Sequence, residues 1–271
     1  MSAAPSPEPS ATPSTGASAS PASRVALVTG ASAGFGAAIT RRLVADGYRV
    51  VAAARRVERL DALRAELGGA VHPVALDVRD PDAVRAVVDG LPQGWAALDV
   101  VVANAGLALG MGPAQEAEWA DWEQMIDTNV RGLAATVHAV LPGMVARGRG
   151  HVVVMGSVAG TYPYPGGHVY AGSKAFAHQF ALALRSDLHG TGVRVTVLEA
   201  GMVAGTEFSH IRFGGDAARV EATYRDMQPL TAEDMAEAVA WVTAQPPHVN
   251  VNVVELMPTT QSFAPFQVHR G

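Results

Sequence analysis

The sequence predicts an α/β protein: a single doubly wound domain in which a parallel seven-stranded sheet carries helices on both faces. Three observations lead there. Seven short, valine-rich runs are almost continuously apolar, as strands covered on both faces must be. Longer stretches between them place apolar residues at helical spacing, so strand and helix alternate in the order that builds parallel sheets. The first run is followed at once by T-G-A-S-A-G-F-G, a glycine-rich turn that opens a helix.

Taken in order, residues 1–23 hold seven Ser, five Pro, six Ala and two Thr, with one acid, Glu8, and no base. That mixture cannot bury enough apolar surface to offset its ordering entropy, and a disordered tail is expected. It has neither the basic start nor the apolar run of a secretory signal. The strands are expected at 25–29, 49–53, 71–76, 100–103, 151–155, 193–198 and 251–256. The helices are expected at 35–45, 57–67, 81–88, 119–146 with a kink at Pro142, 170–188 and 231–243. No break in composition divides residues 24–256, so one catalytic domain accounts for them. Residues 257–271 are too short for another βα unit. Their Phe263 and Phe266 are expected to dock on the cleft rim or a neighbouring subunit rather than fray into water.

Composition narrows the function. Of 271 residues 49% are hydrophobic, enough for a large core, and the net charge of -5 argues against nucleic acid or an anionic membrane as main partner. Without cysteine there is no disulfide, thiolate nucleophile or thiolate metal site. No apolar stretch approaches the ~18 residues of a transmembrane helix, and a cytoplasmic enzyme of small molecules is expected. The nine histidines are scattered, with no His-x3-His pair, so no metal is expected.

The candidate chemistry sits in three places. Gly30, Gly34 and Gly36, with Ser32 and Phe35 among them, form a turn whose backbone can approach a pyrophosphate at a helix N-terminus, as in dinucleotide-binding Rossmann folds. Such folds hold NAD with an acid at the end of the second strand. Here that end reads A-A-A-R-R, and Arg55 and Arg56 would instead pair with a 2′-phosphate, which points to NADP; two solvated arginines opening a helix are the plainer alternative. Third, Tyr170 and Lys174 lie four residues apart on one predicted helix face. An ammonium ~4 Å from a phenol, at an effective dielectric of ~20, favours the phenolate by roughly 4 kcal/mol, enough to bring a tyrosine toward neutral pKa and acid–base work. By itself the pair could equally be a lysine snorkelling past a buried tyrosine. Ser157 follows the fifth strand and is placed to hold a substrate oxygen.

Together, T-G-x3-G-x-G, Asp77-Val78, Asn104-Ala105-Gly106, Asn129, Ser157 and Tyr170-x3-Lys174 resemble the short-chain dehydrogenase/reductase family over the whole body. The stretches M-I-D-T-N, Y-P-G-G-H-V-Y, G-T-E-F-S and M-P-T-T-Q-S-F-A are similar to its NADP-dependent 3-hydroxy acid dehydrogenases, the branch also described as L-allo-threonine or serine dehydrogenases and malonic semialdehyde reductases. The resemblance implies that Tyr170 is the acid/base, that Lys174 lowers its pKa and holds the nicotinamide ribose, and that Ser157 polarises the substrate oxygen. It implies that Asn129 fixes a relay water, that Asp77 and Val78 hold the adenine, and that Asn104, Ala105 and Gly106 line the cofactor cleft. The loop with Ala200, Gly201, Val203 and Thr206 would close over the nicotinamide. Arg212, in the segment that covers the site in this family, is the candidate cation for a substrate carboxylate; Tyr162 and Tyr164 either wall the pocket or form an aromatic rim. The family pairs its long helices across one two-fold axis and its last strands across another, which implies a homotetramer. The chain departs from the family pattern at Ala103, where an Asn is usual, and at Ala200, where Pro is usual. Two other functions stay open: reduction of another carbonyl, such as a ketoacyl thioester or a secondary-metabolite aldehyde, and NADP(H) sensing without turnover. Sensing would not need the phenol.

Overall fold

A computed structural model describes residues 24–263. Seven strands, β1 (Val25–Thr29), β2 (Arg49–Ala54), β3 (Val71–Ala75), β4 (Leu98–Ala103), β5 (Gly150–Ser157), β6 (Val193–Ala200) and β7 (Val253–Leu256), form one parallel sheet in the order β3-β2-β1-β4-β5-β6-β7. Every residue of β1 is buried, whereas the edge strand β7 alternates exposed and half-buried positions. Pro73 is tolerated in β3 because that strand is the opposite edge and needs no ladder on its outer side.

Alternation within the strands supplies two cores. Val25 and Leu27 of β1 face one layer, with Val84 of α3 (Pro81–Asp89), Val137 and Met144 of α5 (Gly132–Ala146) and Leu184 of α6 (His168–Asp187). Ala26 and Val28 face the other, with Ile39 and Leu43 of α1 (Gly34–Ala45), Leu60 of α2 (Val57–Leu67) and Met235 and Val239 of α9 (Ala232–Ala244). Local chemistry marks the helix starts. Asp80 accepts hydrogen bonds from the Asp82 and Ala83 amides ahead of Pro81, and Thr231 and Asp234 form a reciprocal capping box.

The stretch expected as one helix over 119–146 is divided. It comprises α4 (Trp119–Ile126), a π-helical turn (Asp127–Arg131) and α5, which runs through Pro142. The departure from α geometry thus lies around Asn129, which the turn directs inward to bond Leu107 and Ser173. Two further helices, α7 (Glu207–Arg212) and α8 (Ala217–Tyr224), form a lid after β6 that the apolar pattern did not announce, because they are short and α8 buries no residue. Among the described residues no helix is long and apolar enough to cross a membrane.

One buried group makes stability depend on pH. His151 of β5 is 2% exposed, with Nε2 2.8 Å from the Thr196 hydroxyl. That hydroxyl donates to the Val251 carbonyl, so Nε2 must carry the hydrogen, and Nδ1 has no hydrogen-bond partner among the described residues. Burial, with Arg194 adding to it, pushes the imidazole down from 6.5 to about 3. The unfolded chain therefore takes up a proton below pH 6.5 that the folded chain refuses until about pH 3. The stability this group supports is complete above 6.5 and falls by about 1.4 kcal/mol per pH unit between those values. In urea titrations from pH 7 to 4, His151→Gln should shed about one proton from the slope of the acid limb; an unchanged slope would show that His151 is not its source.

Candidate active site

Strand order reverses between β1 and β4, and the crevice at their carboxyl ends is where such sheets bind ligands. Thr29 and Asn104 tie the two ends together. The Thr29 hydroxyl accepts from the Asn104 and Ala105 amides at 3.0 and 3.1 Å, and the Asn104 side chain donates to the Thr29 carbonyl at 2.8 Å. This leaves a cavity of about 780 Å³ between the sheet and the lid, the size of a cofactor-and-substrate site.

The residues around it fit a dinucleotide. Gly30 has φ +68°, and a Cβ there would lie 2.9 Å from the Asn104 side-chain nitrogen Nδ2; a Cβ at Gly36 would collide with the Gly30 carbonyl. Only glycine lets the turn come this close to β4 and leave its amides free for a ligand. Ser32, Gly34, Phe35, Arg55, Arg56, Asp77, Val78, Asn104, Ala105, Gly106, Ala200, Gly201, Val203 and Thr206 all line the cavity. Gly36 is not among the lining residues; its place is behind the turn, against Gly30. The Asp77 carboxylate is gripped by Arg79 at 2.6 Å, and that hydrogen bond holds its carboxyl below the usual range. Arg56 donates to the Ser32 hydroxyl at 3.2 and 3.3 Å.

At the other end lie Ser157, Tyr170 and Lys174, each less than a tenth exposed. The Ser157 hydroxyl accepts from the Ala159 amide and donates to the Ala200 carbonyl, both at 3.2 Å. Lys174 Nζ donates to the Met155 carbonyl at 2.8 Å and lies 5.9 Å from the centre of the Tyr170 ring. Asn129 stands behind the cavity wall. Its amide is clamped by both backbone groups of Leu107 and donates to Ser173, which donates to the Tyr170 carbonyl.

The expected lowering of the Tyr170 pKa is not what the chain alone produces. Burial pushes the phenol up to about 12 against the lowering influence of the Ser157 hydroxyl, with Tyr164 raising it further and Arg212 opposing. Burial also brings Lys174 down to about 8. Two groups taken from water together both favour their neutral forms, and the ammonium is turned to a carbonyl rather than to the phenol.

The lid closes the cavity over these groups. Phe208 packs 5.7 Å from the Tyr170 ring, and the Arg212 guanidinium lies 5.4 and 5.3 Å from the rings of Tyr170 and Tyr164. Arg212 Nε donates to the Gly110 carbonyl at 3.3 Å, while its buried Nη2 has no hydrogen-bond partner among the described residues. Glu207, which the residue pattern did not single out, reaches Arg56 and Arg59 at 2.8 and 2.7 Å. Burial works against its charge, but the bonds from Arg59 and Arg56 prevail and hold its carboxyl below the usual range. Gln261 accepts from the Met202 amide at 2.7 Å, and Phe263 lies 4.5 Å from the Tyr162 ring. Both line the cavity, as do Tyr162 and Tyr164. Phe266 and the rest of the segment expected to dock, residues 264–271, lie outside the described residues, as does the expected tail 1–23.

Comparison with known proteins places this geometry. The family profile described as short chain dehydrogenase matches residues 24–213. The chain is 54% identical over 246 residues, 91% of its own length and 99% of the relative's, to an NADP-dependent 3-hydroxy acid dehydrogenase of Escherichia coli. It is 50% identical over 244 residues, 90% and 97% of the two lengths, to a serine 3-dehydrogenase of Rhizobium radiobacter. Its fold superposes with a TM-score of 0.90 on the closed form of a serine dehydrogenase complexed with NADP+, at 53% identity over 91% of this chain and all of that one.

Proposed function

The chain belongs to the short-chain dehydrogenase family, and on that premise we propose that it is an NADP-dependent oxidoreductase interconverting small 3-hydroxy acids and their carbonyl forms, among them 3-hydroxypropionate and malonic semialdehyde, serine and allo-threonine. The observation that carries this reading is the pairing, at one end of the cavity, of the buried Tyr170 ring with the Arg212 guanidinium, whose carbon lies 5.4 Å from the ring centre and whose Nη2 has no hydrogen-bond partner among the described residues. A hydroxyl at the phenol and a carboxylate at the cation describe a short hydroxy acid.

NADP supplies the acceptor or donor of the hydride. Gly30, Ser32, Gly34 and Phe35 would hold its pyrophosphate region, Arg55 and Arg56 its 2′-phosphate, and Asp77 with Val78 its adenine. In oxidation Tyr170 takes the substrate hydroxyl proton while Ser157 steadies the oxygen; in reduction the phenol returns it. Lys174 and Asn129 would link the phenol to further proton carriers. Phe208 and Arg212, packed against the Tyr170 ring, would strengthen each of these polar contacts by limiting the water around the phenol.

The direct test is cofactor absorbance with the four named compounds beside uncharged alcohols of the same size. Turnover confined to the uncharged alcohols would reject the assignment. We also propose a cytoplasmic homotetramer. The exposed Val253 on edge strand β7 and Trp241, 54% exposed on α9, leave apolar surface that suits a subunit contact. Light scattering at micromolar concentration should give the mass of four chains, and a monomeric mass would refute it.

A further inference from the structure

We propose that Glu207 of the lid competes with the 2′-phosphate of NADP for Arg56, and so sets how strongly this chain prefers NADP over NAD. The proposal rests on the reading of Arg56 as a 2′-phosphate ligand.

The end of β2 carries no acid, but an acid reaches its arginines from elsewhere in the chain. Glu207 opens α7, 148 residues after Arg59, and its two carboxylate oxygens divide between Arg59 Nη1 at 2.7 Å and Arg56 Nη1 at 2.8 Å. Arg56 and Glu207 both face the cavity, whereas Arg59 is not among its lining residues. The remaining donors of Arg56, Nε and Nη2, go to the Ser32 hydroxyl in the glycine-rich turn. Each of the three nitrogens of the Arg56 guanidinium therefore already has a partner within the protein.

A phosphate brings a charge of about -1.5 to -2 and several acceptor oxygens. To use the Nη1 edge of Arg56 it must displace Glu207, and to use the other edge it must sit beside a carboxylate of like charge. A ribose with a free 2′-hydroxyl meets neither obstacle, and Arg56 keeps its partner while NAD is bound. Glu207 thus weakens NADP binding selectively, and it moderates a preference that Arg55 and Arg56 alone would make steeper. Arg59 anchors the carboxylate at the place where it has this effect.

The experiment measures dissociation constants of NADP+ and NAD+ by calorimetry, without substrate, for the wild type, Glu207→Gln, Arg56→Ala and the double variant. Glu207→Gln keeps the shape of the side chain and removes its charge. It should bind NADP+ about three- to tenfold more tightly at low salt, with NAD+ within about twofold of wild type and the gain shrinking at high salt. In the Arg56→Ala background the gain should disappear, since the contested group is gone. Unchanged or weaker NADP+ binding by Glu207→Gln, or a full gain persisting in the Arg56→Ala background, would overturn the competition. An Arg56→Ala variant with an unaltered NADP+ to NAD+ ratio would instead overturn the reading of Arg56 itself, and the two failures are therefore distinguishable.

Discussion

Tyr170→Phe should lower turnover by about 10² to 10⁴-fold with saturating cofactor while leaving cofactor affinity within a few fold. The ring keeps its packing on Phe208 at 5.7 Å, so the change removes the proposed acid/base and little else. Because burial pushes the phenol up to about 12, the protonated form dominates at neutral pH and the group is already loaded for reduction. Oxidation needs the proton to leave, so its rate should climb with pH across the neutral and mildly alkaline range, and the climb should be absent from the residual activity of Tyr170→Phe. Turnover within threefold of wild type would remove Tyr170 from the mechanism, and a reduction rate with the same rising profile would show that burial does not govern its protonation.

The second large effect is expected at Arg212. Arg212→Met keeps much of the length and apolar bulk of the side chain that packs on Tyr164 and Tyr170 but takes away the charge. Loss of a charge-assisted contact to a substrate carboxylate costs about 1.5 to 3 kcal/mol, or roughly 10- to 150-fold in kcat/KM. The loss should fall on 3-hydroxy acids and spare an uncharged alcohol of similar size. That comparison separates anchoring from lid stability, because Arg212 also bonds the Gly110 carbonyl and a loosened lid would penalise both substrates alike. Arg212→Lys should recover only part of the activity, since an ammonium keeps the charge and loses the planar two-pronged geometry. Equal losses for the two substrates would reassign Arg212 to holding the lid.

The sheet was legible in the chain because parallel strands covered on both faces must be apolar almost without interruption, and the runs around Val28, Val51, Val102, Val153 and Val197 satisfy that requirement locally. The glycine-rich turn was legible for a similar reason: Gly36 and Gly30 are imposed by a backbone contact between near neighbours. Tyr170 and Lys174 could be paired because one helix carries both. The lid was much less visible. Its helices are short and α8 buries nothing, so their periodicity is weak.

The sequence by itself determined the α/β class, the order of the strands along the chain, the glycine-rich turn after β1 and the placing of Tyr170 and Lys174 on one helix, since each depends on residues within a few positions of one another. Tertiary structure alone decided which distant groups meet. It brought Glu207 to Arg56 and Arg59, Arg212 to the Tyr170 ring, Gln261 to the Met202 amide and Asn129, through a π-helical turn, to Leu107 and Ser173. It also decided the protonation of the site. Charge spacing along a helix argued for an acidic phenol, but desolvation depends on everything packed around a group, and at Tyr170 burial outweighs the lowering influence of the Ser157 hydroxyl and of Arg212, while burial also disfavours the charge of Lys174.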